Sequence, residues 1–468
     1  MRQTEGLLVF FDEEQRNELL KAGQDAGIES FTDALTIPDL AIRTSRVAAL
    51  SFSETTLDFL SLVTKGKQVV TSKSRVEFSE LLDLKEISFN EISFRLKENL
   101  HQYFVRSSSG RGKRIPQKTW EKLIDIIKIL RPHLAGDIDR LETLGLYSGF
   151  HLTGNDADYL LQQREALGTA LDIFSGSSKL RSQVLRGWAP PTDSITNINE
   201  KDRNGSLVTT THEGRNFLAG LPSRFIQEES ALQHDLANWP SAIAKMEAGY
   251  CQFSLGDRRL DVIYANRNQL ESKLGVDLIY YNENFSSFVL VQYKLMKKED
   301  DSFVFRPDSQ LDEELKRIDK FMENYPPDSS FSDHTGYRLN SDGFFVKLVP
   351  NQGLRPASGD LIAGMYLTRE YVQFLTGPHA PTGPRKGRVI TFDSAPRYLP
   401  NTDFAKLVEY GFIGTRGSQS KVLEDLIASF MIDGKTMIIA HERTVDKKHQ
   451  EKETHSNQQH SVSIFDSA

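Results

Sequence analysis

Two apolar runs near the middle of the chain carry polar residues where a buried strand normally has none. Residues 275–282 read Gly-Val-Asp-Leu-Ile-Tyr-Tyr-Asn, and residues 288–294 read Phe-Val-Leu-Val-Gln-Tyr-Lys. Because the side chains of a strand alternate between its two faces, Gln292 and Lys294 share one face of the second run. Asp277 is the charged residue of the first run. Both runs are predicted to be strands of a sheet.

The segment between the two runs predicts a tight connection. Residues 283–287 are polar apart from Phe285, which indicates a short turn and an antiparallel hairpin. With the turn centred there, Asp277 lies opposite Gln292, and Lys294 points the same way two residues further on. Three polar side chains are therefore expected to converge at one end of an otherwise apolar sheet.

This combination suits hydrolysis of a phosphodiester. Carboxylate and amide oxygens are ligands that Mg²⁺ accepts, and the metal lowers the pKa of a bound water. A lysine beside it can orient that water and stabilise developing negative charge. The alternative is structural: Asp277 is a turn residue, Gln292 is a satisfied amide, and Lys294 extends its amine to solvent. The cost of burying unpaired polar groups favours the functional interpretation.

At these residues the chain resembles the PD-(D/E)xK nuclease superfamily. In that family an Asp on one strand is followed, after a turn, by an (E/D/Q)-x-K signature on the next strand. The Gln form is most similar to the Mrr-like restriction endonuclease branch, and the resemblance covers at most residues 225–350. It implies an α/β (α+β) fold with a restriction-endonuclease-like mixed sheet flanked by helices. It also implies Mg²⁺ or Mn²⁺ held by Asp277 and Gln292, with Lys294 acting on the attacking water.

Members of this family usually add a glutamate from a helix that precedes the Asp strand. Glu271, on a predicted helix over residues 265–273, is the preferred third catalytic residue and metal ligand because it is closest in sequence to Asp277. The family normally places a whole strand between that helix and the Asp strand, and this sequence leaves no room for one. Glu229 is the alternative, since a predicted hairpin over residues 250–264 follows its helix. For either glutamate, a solvated helix face is an equally good interpretation.

The pattern along the rest of the chain divides it into five parts. Residues 1–189 are predicted to be an N-terminal α+β or helical region with an accessory or sensing role. Residues 190–215, rich in Pro, Asn and Thr, are predicted to be a linker. The nuclease core is assigned to residues 216–350 and a mostly helical accessory subdomain to residues 351–440. The polar residues 441–468 are predicted to be disordered.

Apolar residues at helical spacing predict helices over residues 55–64, 120–130, 156–174, 309–322, 401–412 and 418–430. The helix over residues 309–322 is expected to cover the catalytic sheet. A further buried strand is predicted over residues 344–348. Within it, Lys347 is either a second site lysine or an edge residue whose amine reaches solvent.

A basic segment before residue 120 is a candidate nucleic-acid contact. Arg106, Arg111, Lys113 and Arg114 lie among Ser and Gly residues ahead of a helix, where they can reach phosphates, although a solvated linker has the same composition. The formal net charge of −7 argues against a protein that coats DNA nonspecifically. It does not exclude a nuclease, because phosphate contacts need only a local basic surface.

Length and composition indicate how many domains to expect and argue against a membrane or secreted protein. A chain of 468 residues is expected to form two or three domains. No run approaches the roughly 20 apolar residues that span a bilayer, and the acidic N-terminus argues against a secretory signal. The single cysteine, Cys251, excludes an internal disulfide and a cysteine-based zinc site, and is expected to pack in a strand. The protein is therefore expected to be cytoplasmic.

The resemblance implies a metal-dependent nuclease with a role in prokaryotic restriction or antiphage defence. DNA is the favoured substrate, because the branch that the chain resembles acts on DNA. Partner subunits of a defence system and a homo-oligomer are both compatible with this function. Two alternatives remain open: a catalytically inactive nucleic-acid-binding or scaffold subunit, and an RNase toxin.

Overall fold

The computed structural model contains two large β-sheets with helices packed on them. It describes residues 5–11, 14, 17, 30–36, 46–53, 55–70, 73–108, 113–147, 151–190, 207–209, 217–221, 250–266, 276–355, 358–378, 380, 382, 387–430 and 436–444. These residues form ten α-helices and sixteen β-strands. The predicted mixed α/β class is therefore confirmed.

The N-terminal region contains more sheet than the sequence indicated. Its six strands lie in the order β2-β5-β4-β3-β1-β6, with β1 and β3 parallel and the other pairs antiparallel. The strands are β1 Glu5–Phe10, β2 Ser30–Thr36, β3 Arg46–Ser51, β4 Thr56–Val70, β5 Lys73–Ser88 and β6 Arg114–Pro116.

The helix predicted over residues 55–64 is wrong, because this segment belongs to β4. The pairing of β4 with β5 shifts register between Leu57 and Phe59 and again between Leu60 and Leu62. These irregularities place Leu57 and Leu60, three residues apart, in the same core cluster. A bulged strand buried on both faces has therefore imitated the spacing of a helix.

Four helices cover one face of the N-terminal sheet: α1 Phe89–Arg95, α2 Glu98–Ser107, α3 Gln117–Leu130 and α4 Ala135–Tyr147. The helix predicted over residues 120–130 is confirmed as part of α3. Trp120, Leu123 and Ile127 of α3 are buried in the core cluster beneath these helices.

The second sheet carries the hairpin that the sequence singles out. Its strands lie in the order β15-β14-β12-β11-β16-β10-β9, and β13 pairs with the end of β12. These strands are β9 Tyr250–Leu255, β10 Arg258–Asn266, β11 Leu278–Asn282, β12 Ser287–Glu299, β13 Ser302–Val304, β14 Phe344–Pro350, β15 Met365–Thr368 and β16 Thr436–Thr444. A separate two-stranded sheet pairs β7 His151–Thr153 with β8 Leu207–Thr209.

The C-terminal strand β16 lies inside this sheet. It pairs antiparallel with β10 and parallel with β11, so it occupies the position between them. The predicted boundaries at residues 350 and 440 therefore cut through one sheet. Residues 441–444 of the predicted tail are part of β16, and residues 445–468 lie outside the described residues. The local pattern of apolar and polar residues does not indicate which distant strands pair.

Helices pack on both faces of the second sheet. One face packs on α5 Asn155–Ser175, α6 Ser178–Arg186 and α9 Asn401–Glu409. The opposite face packs on α7 Ser309–Asn324 and α10 Gly417–Phe430, and α8 Arg369–Thr376 lies against β14 and β15. The helices predicted over residues 156–174, 309–322, 401–412 and 418–430 are thus confirmed, and α5 extends the core of this sheet into the predicted N-terminal region.

Two smaller expectations are also confirmed. The hairpin predicted over residues 250–264 is formed by β9 and β10, and Gly256 adopts the left-handed conformation (φ +64°) in its turn. Cys251 is buried in β9.

Within the described part of the chain, no helix combines the length and the apolar character needed to cross a bilayer.

Lys347 is neither a second site lysine nor an edge residue. It lies in β14 between β12 and β15, is completely buried, and forms an ion pair of 2.7 Å with Glu165 of α5. Burial disfavours the ammonium, but the adjacent carboxylate of Glu165 and the hydroxyl of Tyr366 together outweigh this effect and raise the pKa of Lys347. Glu165 also bonds Arg164 at 3.1 Å. This ion pair fixes the long helix α5 to the sheet.

Substitution of Lys347 by Met should lower the free energy of unfolding by about 3 kcal/mol, because Glu165 loses a buried partner. Urea denaturation measures this change. The matched control is Lys298→Met, which removes an exposed lysine and should change stability by less than about 0.5 kcal/mol. Equal unfolding midpoints for Lys347→Met and the wild type would contradict this structural role.

Candidate functional site

The hairpin of β11 and β12 has the register that the sequence predicted. Leu278 lies opposite Val291 and Asn282 opposite Ser287, so one residue further on Asp277 lies opposite Gln292. The connection is a 3₁₀ turn over Glu283–Phe285. Because side chains alternate along β12, Gln292 and Lys294 share the face of Leu290. This face is covered by α7 and α10.

Asp277 closes the end of the hairpin. Its carboxylate oxygen Oδ2 accepts a hydrogen bond of 2.8 Å from the backbone N–H of Tyr293. Its own backbone N–H donates to Val291, and its carbonyl accepts from Ile438 of β16. Asp277 thus joins three neighbouring strands at the point where β11 begins, which gives one of its carboxylate oxygens a structural role.

Gln292 is buried without a full set of hydrogen bonds. Its side chain is 4% exposed, and its amide nitrogen makes a long bond of 3.5 Å to the carbonyl of Tyr293. Its oxygen Oε1 has no hydrogen-bond partner among the described residues. A buried acceptor without a donor costs about 1–3 kcal/mol. The structure therefore does not support the interpretation of Gln292 as a satisfied amide.

Lys294 points into the protein and not towards solvent. It is 8% exposed, and its amine lies 2.9 Å from Oε1 and 2.7 Å from Oε2 of Glu314 in α7. The amide of Gln310, one helical turn earlier, donates to the same carboxylate at 3.0 Å. Because Glu314 is only 2% exposed, the pair is held in a low-dielectric environment in which neither charge is stable alone.

Sequence reasoning missed Glu314, although a signal for it was present. Leu311, Leu315 and Ile318 form the apolar stripe of α7, and Glu314 lies three residues after the first of them. A carboxylate within a stripe that faces a sheet requires a cation from that sheet. Lys294 was the available candidate.

The other predicted site residues either lie outside the described residues or belong to the N-terminal sheet. Glu271 and the alternative Glu229 lie outside the described residues, as does Arg111. Arg106 is an exposed residue at the end of α2, and Lys113 and Arg114 lie at the edge strand β6 of the N-terminal sheet, where Arg114 is 3.4 Å from Glu5. The described part of this basic segment therefore belongs to the other sheet.

The donor set at the hairpin fits part of a magnesium site. Asp277 and Gln292 offer a carboxylate and an unpartnered amide oxygen in opposite register, and Mg²⁺ commonly takes few protein ligands and keeps several waters. Over the described residues, however, no group of three or more His, Cys, Asp or Glu side chains is placed to hold a metal ion. A complete site would need substrate oxygens, water or a further ligand.

A separate cleft of about 530 Å³ lies beside the end of α7, lined in part by Asp319, Asp342 and Arg369. It shares no lining residue with the hairpin site. Arg369 is bonded to both carboxylates, at 2.6 Å and 2.7 Å, so the cation of this cleft is already neutralised.

No family model, curated protein or solved structure matches the chain.

Mutation can separate the structural hydrogen bond of Asp277 from the negative charge that it offers to a metal. Asp277→Ala removes the acceptor for the N–H of Tyr293 and should lower the free energy of unfolding by about 1–3 kcal/mol. Asp277→Asn keeps an acceptor oxygen and should lose much less stability. Urea denaturation of both variants tests this difference, and equal losses would show that the hydrogen bond to Tyr293 is unimportant.

Proposed function

We propose that the chain is a metal-dependent nuclease that hydrolyses phosphodiester bonds, with DNA as the favoured substrate. The observation that supports this proposal best is the unpartnered oxygen of buried Gln292, which lies opposite Asp277 and two residues from buried Lys294. The resemblance to the PD-(D/E)xK superfamily assigns chemistry to the same three residues.

In this proposal Asp277 and Gln292 hold Mg²⁺ or Mn²⁺, and Glu271 assists them. The metal, when bound, supplies a water of lowered pKa and stabilises the charge on the phosphate. Lys294 orients that water or contacts the phosphate. Its ammonium has three N–H donors, and the two oxygens of Glu314 leave at least one donor for this purpose. Glu314 fixes the position of the amine.

The second candidate function is a catalytically inactive nucleic-acid-binding or scaffold subunit. Two contacts favour it: the carboxylate of Asp277 is bonded to the backbone of Tyr293, and the amine of Lys294 is bonded to Glu314. An RNase toxin is a third candidate, distinguished by its substrate. A role in restriction or antiphage defence, with partner subunits or as a homo-oligomer, rests on the resemblance alone, and a cytoplasmic location rests on the composition of the chain.

The nuclease proposal predicts Mg²⁺-dependent cleavage of plasmid DNA that depends on the hairpin. Asp277→Asn and Lys294→Met should reduce the cleavage rate by roughly 10²–10⁴-fold, because each removes a group that acts on the metal or the water. Lys298→Met is the matched control, since it removes an exposed lysine from the same strand, and it should cleave at the wild-type rate.

Circular dichroism should show that these variants remain folded. Wild-type rates in both site variants would refute the catalytic assignment, and no cleavage by any protein would favour the scaffold function. A parallel reaction with tRNA separates the RNase candidate, which requires cleavage of RNA in preference to DNA.

The charge of the site predicts its metal affinity. Gln292 stands where the family usually has a carboxylate, so binding depends more on Asp277, a glutamate and substrate oxygens. Calorimetry of the free protein should show weak Mg²⁺ binding, and Gln292→Glu should strengthen it by adding a negative charge. Tight binding to the wild-type protein without nucleic acid would contradict this account of the site.

A further inference from the structure

Arg317 is a cation without an ion-pair partner among the described residues, and it lies on α7, the helix that covers the hairpin site. It follows Glu314 by three residues, so the two side chains lie on neighbouring turns of one helix face. Arg317 is partly buried, and its Nε atom is buried without a hydrogen-bond partner among the described residues. No ion pair joins it to any residue that the structure describes.

Two other arginines with a buried, unpartnered Nε atom differ from Arg317, because each of them has an ion pair. Arg140 and Arg181 also have a buried Nε without a partner. Each of them is nevertheless neutralised through a terminal nitrogen, Arg140 by Glu80 at 2.9 Å and Arg181 by Asp172 at 3.1 Å. Arg317 lacks such a carboxylate among the described residues. Its buried nitrogen is therefore not explained by an internal salt bridge.

The topology of the sheet places Arg317 on the part of α7 that is level with Gln292 of β12. Helix α7 connects β12 to the parallel strand β14, so it runs opposite to β12. Advancing three residues from Glu314 moves about 4.5 Å along the helix, and moving back from Lys294 to Gln292 covers roughly 6.6 Å along the strand. Ile318 packs in one cluster with Leu290, which is consistent with this alignment.

Two buried polar atoms therefore lack hydrogen-bond partners among the described residues: the donor Nε of Arg317 and the acceptor Oε1 of Gln292. The charge of Lys294 is already balanced by Glu314, so the guanidinium is the cation that a bound anion can neutralise. Guanidinium groups bind phosphate through parallel N–H donors. Building on the nuclease function proposed above, we propose that Arg317 binds a backbone phosphate of the nucleic acid in the hairpin site.

Binding of a short fluorescent DNA duplex, measured by anisotropy over a series of salt concentrations with Ca²⁺ in place of Mg²⁺, tests this inference. Arg317→Met should weaken binding by roughly tenfold or more and reduce the slope of log K against log salt by about one unit. Arg317→Lys should keep the slope but lose affinity, because lysine cannot form two parallel bonds. Lys316→Met, which removes an exposed charge from the adjacent position, is the matched control and should change neither quantity.

Thermal unfolding provides a second readout. Removal of a buried nitrogen that has no partner should leave the melting temperature of Arg317→Met unchanged or raised, whereas loss of a structural contact would lower it. Wild-type affinity and slope in Arg317→Met, or a lower melting temperature in both Arg317 variants, would overturn the role of Arg317 while leaving the nuclease function intact. A wild-type protein that neither binds nor cleaves DNA or RNA would instead refute the proposed function and this inference with it.

Discussion

The need to neutralise charge inside an apolar sheet determines much of this structure. Neighbouring strands β12 and β14 each bury a lysine, and the two amines point to opposite faces of the sheet. Lys347 is paired with Glu165 of α5 on one face, and Lys294 with Glu314 of α7 on the other. Because an ammonium in this environment is stable only beside a carboxylate, the position of each helix is tied to the same pair of strands.

Tyr293 connects the two faces. It lies between Gln292 and Lys294 in sequence, but its ring is buried on the α5 side, 5.6 Å below the amine of Lys347. Burial raises its pKa well above the ordinary value, so the phenol stays protonated and donates to Thr169 at 3.1 Å. Its backbone N–H donates the hydrogen bond that the carboxylate of Asp277 accepts. The buried polar cluster under α5 and the hairpin site thus share one residue.

The parts of the site that the sequence predicted are those with a local pattern. The register of Asp277 and Gln292 follows from strand alternation and a short turn, and α7 follows from its apolar stripe. The partners of both lysines were missed, because Glu165 and Glu314 become significant only when each helix is placed against the sheet. The position of β16 was missed for the same reason, and β4 was misassigned because bulges changed its period from two to three.

The central position of β16 has a consequence for synthesis of the protein. Strands β10 and β11 are made well before the strand that joins them, with α7 to α10 encoded in between. Until β16 emerges from the ribosome, both strands have unpaired backbone groups along an apolar edge, which is the form of sheet most prone to pair with another chain. The nascent chain is thus exposed to aggregation at this edge until the last neighbour of the proposed active-site hairpin is made, and pairings between distant segments are also slow to form.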